Sequence, residues 1–436
     1  MIDTIIENGY IVNHKSILRK DVAIKNGKIF KIGLLNRYKA KQRIDATNLH
    51  IIPGAFDTQV HFREPGDTKK ENLKTGSQSA VAGGITTVFD MPNNNPSITT
   101  KNLFSKKLKL AKNRMFCNYA FYFGAEKENL DEIRKVEKID GCCGIKVFVG
   151  SSTGNLLVSN YDDIMKIMKN TKKIISFHSE DENELNKRKK FIEKDDPSSH
   201  PVWRNEFTAI KSTKELIKLA NLTKKRIHIL HISTSEEINL LKRNRKYISY
   251  EVTPQHLTLS SPGCYNKLGT LAQMNPPLRR KKHKDLLRKA LQLGNIDIIG
   301  SDHAPHLISE KKLKYPRSPS GMPGVQTLLP ILLNEVSKKF ISINEVVKLT
   351  SYNPMKIFKV KNKGLIKKGY DADLTLVDLN KNKVIKNKLI KSKCGWTPFH
   401  GMKIKGWPIG TIINGRKVYW NNKIIGKAEG KPLKFN

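Results

Sequence analysis

The sequence predicts an α/β protein: a TIM-like (β/α)8 barrel joined to a small β-sandwich domain formed from both chain termini. Three observations predict it. Apolar, β-branched segments recur eight times with helix-compatible stretches between most of them. Both ends of the chain read as short strands separated by turns. Polar, chemically capable side chains stand at or just past the carboxyl ends of several central segments, which in a barrel converge on one mouth. A doubly wound open sheet would not gather so many strand ends around one point.

The first fifty residues supply DTIIENGYIVN, GKIFKIG and DATNLHIIPG, and the last part supplies ADLTLVDLN, IGTIINGRKVYW and NNKIIG. Asn8-Gly9, Asn26-Gly27 and Asn414-Gly415 lie between apolar runs and predict tight hairpin turns. The expected division is therefore 1–50 and 369–436 in one β domain and 51–368 in the barrel. The eight barrel strands are expected at 51–57, 85–91, 117–123, 145–149, 174–178, 227–231, 247–252 and 297–301. Helices are expected over ENLKTGSQSAVAGG, YDDIMKIMKN and EFTAIKSTKELIKLANL.

Composition excludes several classes. With 38% hydrophobic and 27% charged residues in 436, the chain has enough apolar content to fold. No run approaches a membrane span, and MIDTIIENGYIV lacks the pattern of a cleaved leader, so a cytoplasmic location and no membrane partner are expected. Five scattered cysteines form neither a disulfide framework nor a thiolate metal site, which fits a reducing compartment. Lys plus Arg number 80 against 39 Asp plus Glu, a net charge of +41. These cations are spread through most polar stretches, among them KNLFSKKLKLAKNR at 101–114, so bias in composition explains them better than a nucleic-acid footprint.

The chemistry gathers at the strand ends. Asp57-Thr-Gln-Val-His61-Phe-Arg63 follows the first strand, His178 ends the fifth, His231 ends the sixth, and Asp302 follows the eighth. Any one of these histidines alone is an ordinary core histidine. Three with an aspartate at one barrel face make a metal-site pattern, because imidazole and carboxylate both suit zinc. Lys146, in the apolar strand GIKVFV, reads alone as an aliphatic stem reaching for the surface. Inside a barrel it cannot escape easily. Carbamylation by carbon dioxide, giving N6-carboxylysine, is one way to make it an anionic oxygen ligand bridging two metals, although composition does not establish it.

On these residues the chain resembles the amidohydrolase superfamily, and within it the dihydroorotase family. The similarity runs through PGAFDTQVHFREPG, AVAGGITTVFDMPNNNP, KVFVGSSTGN, HSEDE, HISTSEE, EVTPQHL, NPPLR, SDHAPH, GMPGVQT and GYDADLTLVDL in order. The resemblance implies a zinc-dependent cyclic amide hydrolase that interconverts L-dihydroorotate and N-carbamoyl-L-aspartate in pyrimidine (UMP) biosynthesis, working as a homodimer. It implies His61, Lys146, His178, His231 and Asp302 as metal ligands, Asp302 also as the catalytic base and then acid, and Arg63, Asn93, Asn275 and His306 as substrate contacts. The lesser alternatives are a structural N-cap role for Asp302 before the Ala304-Pro305 turn and surface or turn roles for Asn93 and Asn275, since Asn beside Pro is common in loops.

The family's first motif, Asp-X-His-X-His-X-Arg, has Gln59 where its first histidine stands. That departure implies at least one firmly held zinc and a second that is weaker or differently coordinated. Allantoinase and hydantoinase share the barrel and metal kit, but their corresponding segments usually lack Arg63. A metal-impaired, non-catalytic homologue is the remaining alternative, and Gln59 is its support.

Overall fold

The computed structural model describes all residues from Met1 to Asn436. Seven strands come first: β1 (Ile2–Glu7), β2 (Tyr10–Asn13), β3 (Ser16–Arg19), β4 (Asp21–Lys25), β5 (Lys28–Gly33), β6 (Ala40–Asp45) and β7 (His50–Pro53). The barrel strands follow as β8 (Ala55–Val60), β9 (Ile85–Asp90), β10 (Asn118–Gly124), β11 (Cys142–Phe148), β12 (Ile175–His178), β13 (Ile227–Ile229), β14 (Ile248–Val252) and β15 (Ile298–Ile299). The last four are β16 (Leu374–Val384), β17 (Lys403–Ile413), β18 (Arg416–Trp420) and β19 (Lys423–Ile424).

Seven of the eight barrel strands overlap the β-branched and aromatic runs that predict them and the first is shifted, as described below; each pairs in parallel with its sequence neighbour. The ring closes between β8 and the segment beyond β15: His61 N–H donates to the His303 carbonyl at 2.8 Å, and His303 N–H donates to the Gln59 carbonyl at 3.3 Å. Helices cover the outside, including Leu73–Ala82, Tyr161–Asn170 and Glu206–Thr223 in the three predicted stretches. Each is started by an asparagine side chain, Asn72, Asn160 or Asn205, accepting from a first-turn amide. One continuous hydrophobic core fills the space between strands and helices. No helix is long and apolar enough to cross a membrane, and all five cysteines are buried and unpaired.

The terminal strands form two sheets, ordered β5-β4-β1-β6 and β19-β18-β17-β16-β7-β2-β3. The second joins both chain ends, with β7 antiparallel to β16 and parallel to β2. Ile6, Ile11, Ile24, Ile51, Leu374 and Leu376 pack in the core between the sheets.

Two local expectations are corrected. The strand predicted at 51–57 is two strands: 51–53 belong to β7 in the terminal sheet, and the barrel strand begins at Ala55. Gly54 makes the change of sheet at a point where a Cβ would lie 2.1 Å from the Thr86 hydroxyl oxygen. Of the three Asn-Gly pairs, Asn26-Gly27 and Asn414-Gly415 have positive φ at both residues and make hairpin turns between β4 and β5 and between β17 and β18. Asn8-Gly9 does not. β1 pairs with β4 and β6 while β2 pairs with β3 and β7, so the chain crosses there from one sheet to the other.

After β19 the chain runs under the barrel, at the face opposite the strand carboxyl ends. Tyr119 N–H donates to the Lys431 carbonyl, Leu433 N–H to the Tyr119 carbonyl and Lys361 N–H to the Lys434 carbonyl, at 2.9–3.1 Å. Leu433, buried, joins Phe56, Phe89, Tyr122 and Phe358 in the barrel floor. Leu433→Ala is expected to lower the unfolding free energy by about 2–4 kcal/mol, because the cavity left in that floor cannot collapse. A denaturant titration against the unaltered chain measures it.

Candidate active site

The barrel mouth is assembled from loops whose backbones are forced into unusual conformations. Between Asp57 and Val60 the pairing of β8 with β9 slips, an irregularity of the kind that re-aims side chains at strand ends. Before the slip, Phe56 packs against Phe89 in the floor. Within and just beyond it, Gln59 and His61 both reach Asp302: the Gln59 amide nitrogen donates to Asp302 Oδ1 at 2.9 Å, and His61 Nε2 lies 3.3 Å from the same oxygen. Arg63, His231 and Asp302 adopt φ values of 58°, 38° and 45°. Such left-handed non-glycine residues cost about 1–3 kcal/mol each and cluster at functional sites.

A second pair of candidate ligands stands at the ends of β12 and β13. His178 Nδ1 and His231 Nε2 are 3.0 Å apart, with their rings edge to face. His178 Nε2 lies 3.0 Å from Glu180 Oε2, so the Nε2 proton goes to that carboxylate and Nδ1 is left as the free donor atom. Arg204 Nη2 donates to the same Glu180 oxygen at 2.5 Å and to the Ser151 carbonyl at 2.8 Å. All three side chains are buried. The Arg204 guanidinium and His178 hold the Glu180 carboxyl well below the usual carboxylate range, against its own burial.

Lys146 lies within electrostatic reach of both pairs. It is 1% exposed on β11, its ammonium has no hydrogen-bond partner, and it sits 4.4 Å above the Phe148 ring. Burial pushes its pKa down to about 7, and Asp302 and Glu251 pull the other way. Its charge is in turn felt at His61, His178, His231 and Asp302. Burial pushes the Asp302 carboxyl up to about 7.

No three His, Cys, Asp or Glu side chains meet at one point. Two pairs of candidate donors stand at the mouth, His61 with Asp302 and His178 with His231. Lys146, as an ammonium, lacks the lone pairs a metal ligand needs; as a carbamate it would have them. The unpartnered Lys146 Nζ, Gln59 Oε1 and His231 Nδ1 are the buried polar atoms left over at this place. The residues fit a metal centre completed by a modified Lys146.

The side chains expected to contact substrate also stand at the mouth. Arg63 Nε donates to the Pro305 carbonyl at 3.2 Å, and Arg63 Nη2 lies 3.2 Å from His306 Nε2. Asn93 Oδ1 accepts from His61 Nδ1–H at 2.8 Å, which makes Nδ1 the protonated nitrogen, and the Asn93 amide nitrogen donates to the Thr153 carbonyl at 2.8 Å. Asn275 donates to the Ser152 hydroxyl at 3.3 Å and has His200 Nε2 3.0 Å from its Oδ1. Residues 152 and 153 thus touch both asparagines.

Sequence reasoning passed over Glu180, Arg204, His200 and Lys107. Lys107, within the basic run at 101–114, is fully buried: its ammonium lies 2.7 Å from Asp90 Oδ2 and donates to the Met91 carbonyl at 3.1 Å and to Asn94 Oδ1 at 2.8 Å. Asp90 Oδ1 also accepts from Phe62 N–H at 2.8 Å. This ion pair therefore ties the ends of β8 and β9 together beneath His61 and Asn93. Its helical spacing, with Phe104 and Ala111 on the buried face, was the only signal available.

A family model described as the amidohydrolase family matches residues 50–418. The chain belongs to the amidohydrolase family. Among curated relatives, the dihydroorotase of Methanosarcina acetivorans is 35% identical over 98% of this chain and 94% of its own length, and that of Pyrococcus abyssi is 34% identical over 98% and 97%. The solved L-hydantoinase (dihydropyrimidinase) of Arthrobacter aurescens superposes with a TM-score of 0.96 at 26% identity, covering 99% of this chain and all of that one. The protein is a cyclic amide hydrolase with the TIM-barrel fold of this family.

Glu180→Ala removes the partner of both His178 and Arg204 and leaves a buried guanidinium without a carboxylate. It is expected to cost about 3–5 kcal/mol of stability. Urea unfolding followed by circular dichroism, with Arg204→Ala as the reciprocal case, measures it.

Proposed function

We propose that the protein is a zinc-dependent dihydroorotase, hydrolysing L-dihydroorotate to N-carbamoyl-L-aspartate and running the reverse condensation in pyrimidine (UMP) synthesis. The observation that carries this reading is Arg63. Its buried guanidinium stands at the mouth beside His306, on the same short segment as His61, so a fixed cation for a substrate carboxylate adjoins the hydrolytic cluster. The dihydroorotase names of relatives matched along nearly the whole chain support the same choice.

In this reading His61, His178, His231, Asp302 and an N6-carboxylated Lys146 would hold zinc. When bound, zinc supplies Lewis acidity toward the ring carbonyl and raises the acidity of water. Arg63 and His306 take the substrate carboxylate by charge-assisted hydrogen bonds, Asn93 adds a donor, and Asn275 contacts the amide edge. Asp302 accepts a proton from the attacking water and returns it to the ring nitrogen as the carbon–nitrogen bond breaks. A buried carboxyl beside the reacting atoms is the kind of group that takes up and returns a proton in one cycle. The enzyme is proposed to work in the cytoplasm as a homodimer, with a small molecule rather than nucleic acid or membrane as its partner.

A second reading, a hydantoinase-like cyclic amide hydrolase, is favoured by the close superposition on L-hydantoinase. One experiment separates them: turnover of L-dihydroorotate, N-carbamoyl-L-aspartate, allantoin and hydantoin, with zinc measured on the same sample. Turnover of dihydroorotate with about one tightly held zinc per chain is expected. Hydantoin turnover alone would transfer the assignment to the second reading, and bound zinc without turnover of any substrate would mark a non-catalytic homologue. Arg63→Met is expected to reduce kcat/KM for dihydroorotate by about 10²-fold through loss of charged hydrogen bonds, and steady-state kinetics on the purified variant measures it.

A further inference from the structure

Asp57 is the acidic member of the first motif, yet it hydrogen-bonds none of the proposed metal ligands or substrate contacts. Its carboxylate is fully buried. Oδ1 accepts from Ser301 N–H at 2.9 Å and from Gln59 N–H at 3.2 Å, while Oδ2 has no partner. The place of that first bond is unusual. β15 is only two residues long, and main-chain pairing with β8 appears only at His303. Between them Gly300, Ser301 and Asp302 leave the ladder, and Asp302 turns to its positive φ. Ser301 N–H would be a buried orphan donor without the side chain of Asp57.

Glu251 holds the same turn from β14. A Cβ on Gly300 would sit 2.7 Å from Glu251 Oε1 and 2.8 Å from Oε2, so only glycine fits against this carboxylate. Glu251 is itself fixed by the Thr58 hydroxyl, which donates to Oε2 at 2.5 Å, and by His228 Nε2 at 3.2 Å from that oxygen. The turn that carries Asp302 is therefore held by Asp57 on one strand and packed against Glu251 on another.

We propose that Asp57, backed by Glu251, is a positioning residue for Asp302: its Oδ1 replaces the missing ladder acceptor and fixes the turn on which Asp302 meets Gln59 and His61. The consequence for catalysis rests on Asp302 being the proton acceptor. A shift of about 1 Å in such a group is enough to cost about 10²-fold in rate.

The test pairs kinetics with crystal structures of the zinc-loaded wild type, D57A, D57N and G300A. D57A is expected to lower kcat about 10²-fold with KM within about threefold, and to move the Asp302 carboxylate about 1 Å from its place beside Gln59 Nε2. D57N keeps the Oδ1 acceptor and is expected to restore kcat to within about tenfold of wild type with Asp302 in place. G300A, which crowds Glu251, is expected to displace the same turn with Asp57 intact. Should D57A not fold, D57N and G300A carry the same two readouts. Wild-type kcat in D57A, an unmoved Asp302 in D57A or G300A, or a D57N as impaired as D57A would overturn the proposal. An inactive wild type would sink the catalytic reading of Asp302 alone, since the position of its carboxylate still decides what Asp57 does.

Discussion

Two main-chain hydrogen bonds, from His61 to the His303 carbonyl and from His303 to the Gln59 carbonyl, close the barrel, and the site depends on that closure. They bring together the first and last strands, whose ends carry Gln59, His61 and Arg63 on one side and Asp302 and His306 on the other. The partners are separated by most of the barrel sequence, so neither the Arg63–His306 contact nor the His61–Asp302 pair exists until the ring is complete. Parallel strands joined by covering helices make such a ring stable, because both faces of every strand are buried. The seam is also where the sheet is least regular. β15 is short, the pairing of β8 slips, and two left-handed residues flank the gap, so regular pairing is given up where side chains must be turned toward the mouth.

Four lysines are buried in this strongly cationic chain, and each meets the cost of burial differently. Lys107 and Lys363 are paired with carboxylates, Asp90 for the first and Asp371 and Asp373 for the second. Lys311 donates to the carbonyls of Gln273 and Pro319. Lys146 alone has neither a carboxylate nor a carbonyl in hydrogen-bonding reach. Burying an unpaired ammonium is costly enough that the group must lose its proton or be changed. The contrast with its three fellows sets Lys146 apart and supports the place proposed for it in the metal centre.

The eight barrel strands were legible because long β-branched runs separated by helix-compatible stretches have few other foldings, and the mouth residues because they follow those runs. What could not be read is instructive. The split at Gly54 depends on Thr86, a neighbour from another strand, and the crossing at Asn8-Gly9 depends on which strands pair, which a dipeptide does not specify. Glu180 and Arg204 gain their importance from each other across an intervening segment with no fixed spacing. Lys107 sat in a run of lysines that looks uniformly exposed, and only burial distinguishes it from its neighbours.

The mixed terminal sheet has a bearing on how the chain reaches its native state. β7 lies between β2 and β16, and β16 follows the whole barrel in sequence. During synthesis, β7 therefore presents an unpaired edge of apolar, β-branched residues until the barrel and β16 have been made, a contact of very high sequence separation and slow to form. Open edges of that kind recruit strands from other molecules. The protein's most vulnerable interval is thus its own assembly, and aggregation during expression should be governed by the time β7 waits for its partner.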